Sequence, residues 1–239
     1  NTPVTVTNPI SVPAGGNAVN YSFTQHVDLS NVYFPTEFKV FVTASQDNNH
    51  SNDTLRIMLR KEICESGSTT AASPSIANIK VAGIDNEPLP ADWTPFGTSE
   101  DVTYTNYANT VAPGVFVKGQ SYEMSITNAF PGTSGTKVYK YVFIDYNRNG
   151  QWEVTGANAE RVLAITNANV FNAQHPENAT SFGTFTVPAT ATEGLTLMRV
   201  IGAGTNPAAV TSGCGYYPQG ETEDYAVIIR NYRLYAAYW

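Results

Sequence analysis

Charge is scarce in this chain: 14% of its 239 residues carry one, and 13 basic against 20 acidic side chains leave a formal charge of −7. The six lysines and seven arginines are scattered and never stand more than two in a row, as at Arg60-Lys61. A nucleic-acid reader needs a clustered basic stripe to displace counterions from phosphates, so no nucleic-acid partner is expected. Long apolar runs are missing too. No stretch approaches the roughly 20 apolar residues of a membrane helix, so no membrane span is expected, and no leader pattern opens the chain at Asn1. If the protein is exported, its leader is expected to have been removed already.

Catalytic constellations are also lacking. His26, His50 and His175 are isolated, with no HExxH pair to hold zinc beside a general base, and no GxSxG nucleophile elbow occurs. The chain by itself is therefore expected to be no enzyme. There are only two cysteines, Cys64 and Cys214, too far apart for zinc-ribbon or thioredoxin spacing. Two readings remain: an extracellular disulfide, favoured in an acidic, Thr/Asn-rich chain with six lysines, or two unrelated buried thiols.

What is present favours pleated strands and turns: 28 Thr, 22 Asn, 18 Gly, 14 Pro and 28 aromatic residues. At this length a 42% hydrophobic content is enough to bury a core. The expected fold is all-β, with two β-sandwich modules. Residues 1–62 read as an immunoglobulin-like module with strands near Val4–Thr7 and Ala18–Thr24, then FKVFVTA and TLRIMLRK around a polar SQDNNHSND tip. Four or five strands are fewer than the about seven of a complete immunoglobulin-like sandwich, so an unpaired edge is expected there. Glu65–Ser75 shows no periodicity and reads as the junction. Residues 63–230 form the second sandwich, with strands at 76–81, 102–107, 121–127, 138–145, 161–165, 181–187, 195–201 and 223–230. Residues 231–239, NYRLYAAYW, are an aromatic tail that reads as an exchanged strand, as a segment folding back, or as the start of a further module.

The sharpest local signal is IDYNRNGQWE at 144–153. Asp145, Asn147 and Asn149 occupy alternate positions of an oxygen-rich loop, Gly150 permits its sharp turn, and the Gln151 carbonyl stands where a hard cation would meet it. Position twelve is Gly156 rather than a bidentate Glu, so Glu160 or Glu153 must close the loop. The expected Ca²⁺ set is Asp145, Asn147, Asn149, Gln151 and Glu160. With one anion in the opening trio, affinity is expected in the weak extracellular regime of roughly 0.1–1 mM. The plainer alternative is an Asn-Gly turn in which Asp145 caps backbone amides.

A second signal, GETEDYAVII at 220–229, sets Glu221, Glu223 and Asp224 before an apolar strand. Strand alternation places Glu223 and Asp224 on opposite faces, which speaks against a paired acid and base and for a structural use with Arg199 or the calcium loop. This phrase resembles the GEVED motif of a β-sandwich domain found in secreted Bacteroidetes proteins. An opening Cys64, the run from Asp145 to Trp152, Glu160, the Met198-Arg199 strand and Cys214 follow in the same order over roughly residues 64–230. Thr222 replaces the usual Val, and Asn149 a frequent Asp. The N-terminal segment is similar, less specifically, to the immunoglobulin-like repeats beside such domains. The resemblance implies a secreted or cell-surface protein.

Trp93, Phe96, Trp152, Tyr216 and Tyr217 fall in predicted loops or strand ends, where exposed rings could stack on sugars or else serve as core lids. The sequence as a whole reads as a non-catalytic structural or adhesive module, stabilised by calcium and a Cys64–Cys214 disulfide, with protein or glycan partners at the cell surface. Two alternatives stand beside it: a subunit of a head-to-tail filament assembled by strand donation from the tail, and an accessory region of a larger secreted hydrolase.

Overall fold

In a computed structural model the chain separates into two compact units, Asn1–Leu59 and Arg60–Trp239. The structure describes residues 36–41, 54–59, 63–70, 74–87, 103–129, 135–156, 159–166, 168–170, 172, 175–204 and 210–232. The first unit is described by one antiparallel pair, β1 (Thr36–Phe41) and β2 (Thr54–Leu59), in register from Thr36 opposite Leu59 to Phe41 opposite Thr54. The alternation of FKVF and TLRIML accounts for that pair. The earlier predicted strands and the SQDNNHSND tip lie outside the described residues.

The second unit is a sandwich of two sheets. Its spine is β13 (Gly215–Arg230), paired along most of its length with antiparallel β12 (Gly194–Ala203), which pairs in turn with β9 (Tyr139–Ile144), and β9 with β10 (Arg161–Ile165). Along its other side β13 takes three short parallel partners in succession: β3 (Ser66–Thr70), β6 (Tyr104–Asn106) and β7 (Gly114–Val117). Facing this sheet is a four-stranded one made of β4 (Ile76–Val81), β5 (Ile84–Asn86), β8 (Ser121–Asn128) and β11 (Thr180–Thr186), in the order β11-β8-β4-β5.

The core fills the space between the sheets with Ile79, Met124 and Ile126 from one side and Val142, Ile144, Met198, Val200 and Val227 from the other. On β8 the buried residues Met124, Ile126 and Asn128 alternate with partly exposed ones, as expected of a strand with one face inward. β12 is instead buried on both faces from Thr196 to Ala203, because its outer face is covered as well.

The all-β expectation holds among the described residues, with one correction. The polar stretch read as a junction contains β3, whose alternation is hidden by the run SGSTT. Its order comes from parallel pairing with β13 and burial of Ser66 and Ser68, and no apolar period marks it. The short β5 and β7 were likewise unmarked, since three or four residues are too few to display a period.

Candidate functional site

Alternation along β13 divides the motif carboxylates between two environments. On the outer face Asp224 lies opposite Arg199. It accepts Nε on Oδ1 and Nη2 on Oδ2, each at 2.7 Å, a bidentate pair with side chains at 1% and 0% exposure. Arg199 Nη1 donates onward to the Gly213 carbonyl at 2.7 Å and the Cys64 carbonyl at 2.9 Å. The guanidinium carbon stands 5.1 Å from the Trp152 ring centre, and Tyr104 donates its hydroxyl to Asp224 at 2.9 Å. The two segments Arg199 grips are those joined by the Cys64–Cys214 disulfide, whose Cα atoms are 5.5 Å apart. The structure thus contains the expected disulfide. Closing a loop of 150 residues stabilises the fold by up to about 5 kcal/mol in the chain-entropy model.

On the inner face Glu221 and Glu223 point between the sheets. Glu221 accepts the Ile76 amide at 2.8 Å and the Thr105 hydroxyl at 3.1 Å, and burial raises it to about 7. Glu223 is fully buried. Its Oε2 accepts the Tyr225 hydroxyl at 2.7 Å, and Oε1 meets no hydrogen-bond partner among the described residues. Burial, with repulsion from Glu221, holds Glu223 well above the carboxylate range, which favours its uncharged form. Asn86 completes the polar row by donating to Tyr225 Oη at 2.8 Å, and Tyr107 stacks on Tyr225 with ring centres 5.5 Å apart.

The loop between β9 and β10 is built around Asp145. Oδ1 accepts the Asn149 amide at 3.0 Å and Oδ2 the Gly150 amide at 2.9 Å. Arg148 and Gly150 both take positive φ, 63° and 77°, which glycine tolerates freely. Asn147 Oδ1 accepts the Asn149 amide and Asn149 Oδ1 the Gln151 amide, while their side-chain amides point at Glu153, the Asn149 contact being 2.6 Å. Glu160, 1% exposed, accepts the Asn147 amide at 3.1 Å and the Glu153 amide at 3.4 Å. Burial and the adjoining Glu153 carboxylate push Glu160 up to about 9, and interaction with Glu160 holds Glu153 below its ordinary value.

The donor set is all oxygen, as a hard cation requires. In this conformation the side-chain oxygens of Asp145, Asn147, Asn149 and Glu160 accept backbone amides, and no group of three or more His, Cys, Asp or Glu side chains among the described residues is arranged to hold a metal. Both closing carboxylates, Glu153 and Glu160, meet the loop.

The aromatic set separates. Trp152 is buried, packed edge-to-face on Phe143 and under Arg199, and Tyr217 is buried with its hydroxyl 2.9 Å from Thr222 Oγ1. Both are core residues of the outer face, which corrects their reading as ligand-stacking rings. Tyr216 is exposed at 60% and donates to Glu65 at 2.8 Å. Trp93 and Phe96 lie outside the described residues. Sequence reasoning missed the inner polar residues Asn128 and Lys140. The signal was there in YKYVFI, where Lys140 shares the parity of the apolar Val142 and Ile144.

The described part of the second unit is a disulfide-linked β-sandwich module. Residues 139–228, from the start of β9 into the motif strand β13, match the model of the GEVED domain, a non-enzymatic β-sandwich family. None of the curated proteins matches the chain. Among solved structures, a Niemann-Pick type C2 protein from Japanese carpenter ant is similar at 8% identity, over 71% of this chain and 100% of that one, with a TM-score of 0.31.

Proposed function

We propose that this chain is a non-catalytic, secreted or cell-surface module that presents a rigid sandwich to protein or glycan partners, with Ca²⁺ ordering the 145–160 loop. The reading is carried by the use of the motif carboxylates: Asp224 is consumed by Arg199, while Glu221 and Glu223 are sealed on the opposite face of the strand. A glycosidase needs two carboxyls flanking one accessible bond, and this arrangement offers none. The disulfide is compatible with an oxidising, extracellular setting.

Calcium would be held by Asp145, Asn147, Asn149, the Gln151 carbonyl and Glu160, with Glu153 beside them. Support comes from the geometry of the loop, where Glu160 accepts the Asn147 and Glu153 amides and the side-chain amides of Asn147 and Asn149 meet Glu153, so both carboxyls stand beside the Asp145 turn. The filament alternative rests on residues 233–239 and on the N-terminal edge, which lie outside the described residues.

Thermal melting in millimolar-range calcium against excess chelator tests the metal. A higher midpoint with calcium is expected, and an unchanged midpoint with no bound metal by elemental analysis overturns it. Incubation with protein and polysaccharide substrates tests the rest: binding without turnover is expected, and turnover abolished by Glu223→Gln in a folded protein overturns the non-catalytic reading.

A further inference from the structure

Three polar side chains are buried around one glycine in the sandwich interior. Lys140 of β9, Gly202 of β12 and Glu221 of β13 stand side by side in one ladder row. Facing Gly202 from the other sheet is Asn128, the last residue of β8, whose Nδ2 lies 3.0 Å from where a Cβ on Gly202 would sit. Lys140, Asn128 and Glu221 are 1%, 3% and 5% exposed. A side chain at position 202 would crowd the asparagine, so the glycine leaves it room over the row.

Lys140 and Asn128 keep unmet hydrogen-bonding capacity, and burial moves Lys140 and Glu221 towards their uncharged forms. Lys140 Nζ has three donors and, among the described residues, one acceptor, Ser181 Oγ at 2.7 Å. Ser181 lies opposite Ile126, one same-face step of about 7 Å along β8 from Asn128. Asn128 donates Nδ2 to the Ser75 carbonyl at 3.1 Å and leaves Oδ1 buried without a partner. Glu221 holds the amide of Ile76, the residue directly opposite Asn128 in the β4–β8 ladder. Burial brings the lysine amine down to about 8 and the glutamic acid up to about 7, each towards its uncharged form.

We propose that Lys140 and Asn128 become joined by an intramolecular isopeptide bond, with Glu221 handling the protons. The neutral Nζ, rotated off Ser181, attacks Cγ of Asn128 while the Glu221 carboxyl donates to Oδ1 and steadies the developing oxyanion. The Nζ–Cγ bond forms and the Cγ–Nδ2 bond breaks. The proton lost by Nζ passes through Glu221 to Nδ2, which leaves as ammonia. One amide replaces another, so no oxidant, reductant or cofactor enters the balance. The product ties β9 of one sheet to β8 of the other across the core, and it does not depend on whether the 145–160 loop takes calcium.

The test is the intact mass of the purified full-length chain after reduction of its disulfide. The mass is expected to fall one ammonia short of the sequence, with peptide mapping showing Asn128 and Lys140 in a single branched peptide uncut after Lys140. Lys140→Met and Glu221→Gln variants are expected at their full sequence masses. A wild-type chain at full sequence mass overturns the proposal, as does an ammonia loss that maps elsewhere, such as to a succinimide at Asn149-Gly150. Because the wild-type mass decides, a variant that fails to fold does not protect the idea.

Discussion

Asp224 and Glu223 are neighbours on one strand, yet the protein treats their charges in opposite ways. On the outer face Asp224 pairs with Arg199, within a cage closed by Trp152, Tyr104 and two backbone carbonyls. On the inner face Glu223, like Glu221 two residues before it, meets neutral donors and apolar side chains, and burial drives it towards the uncharged acid. A buried carboxyl is tolerated either by pairing its charge or by suppressing it. Strand alternation, by assigning successive residues to two faces, lets one short motif do both.

The outer face is where breaking this contrast costs most. Asp224→Asn leaves the Arg199 guanidinium buried without its counter-charge, a loss expected at about 3–5 kcal/mol of unfolding free energy by urea denaturation. A loss below about 1 kcal/mol would mean that the two carbonyls and the rings hold Arg199 unaided.

The inner face should answer to pH. Glu221 has a folded value of about 7 against an ordinary 4.5, so between those values the folded state binds more protons than the unfolded one. Stability is therefore fully present below the lower value and falls as pH rises through the upper one, by about 3 kcal/mol from this group. Glu223 adds the same sign at higher pH. Glu221→Gln should flatten the slope between about pH 5 and about pH 8 in denaturant titrations, and an unchanged slope would remove Glu221 as its source.

The smallest effect is expected at Glu223→Gln, which puts a neutral amide of the same size in place of a carboxyl that burial already drives towards its uncharged form. Unfolding free energy at neutral pH should change by no more than about 1 kcal/mol. A loss as large as that of Asp224→Asn would show that Glu223 is charged in the folded protein and that the contrast between the faces is false.

Much of the fold was legible because the long strands carry their own period. Ile76–Val81 and Arg161–Ile165 were read at the bounds the structure shows, and Ser121–Thr127 within one residue of them. The order of Cys64, the Asp145 loop, Arg199, Cys214 and the motif was legible too, since each is a short signal of distinct chemistry. β3 was not legible, because parallel pairing with β13 stabilises a segment of Ser, Gly and Thr that has no apolar face of its own. The burial of Trp152 and Tyr217 was hidden for the same reason: what covers the outer face is chain that lies far away in sequence.

The sequence by itself determined that this protein is built of strands, that its basic residues form no stripe, and that Glu223 and Asp224 face opposite ways, because composition and a two-residue period are local properties. Only the tertiary structure decided which face would be charged. Whether a carboxyl is paired or neutralised depends on what packs over it, and here Arg199 comes from the neighbouring strand, its capping carbonyls from residues 64 and 213, and the Tyr225 hydroxyl that reaches Glu223 is held in turn by Asn86, 139 positions away. Desolvation is set by those distant neighbours, and no window of sequence contains them.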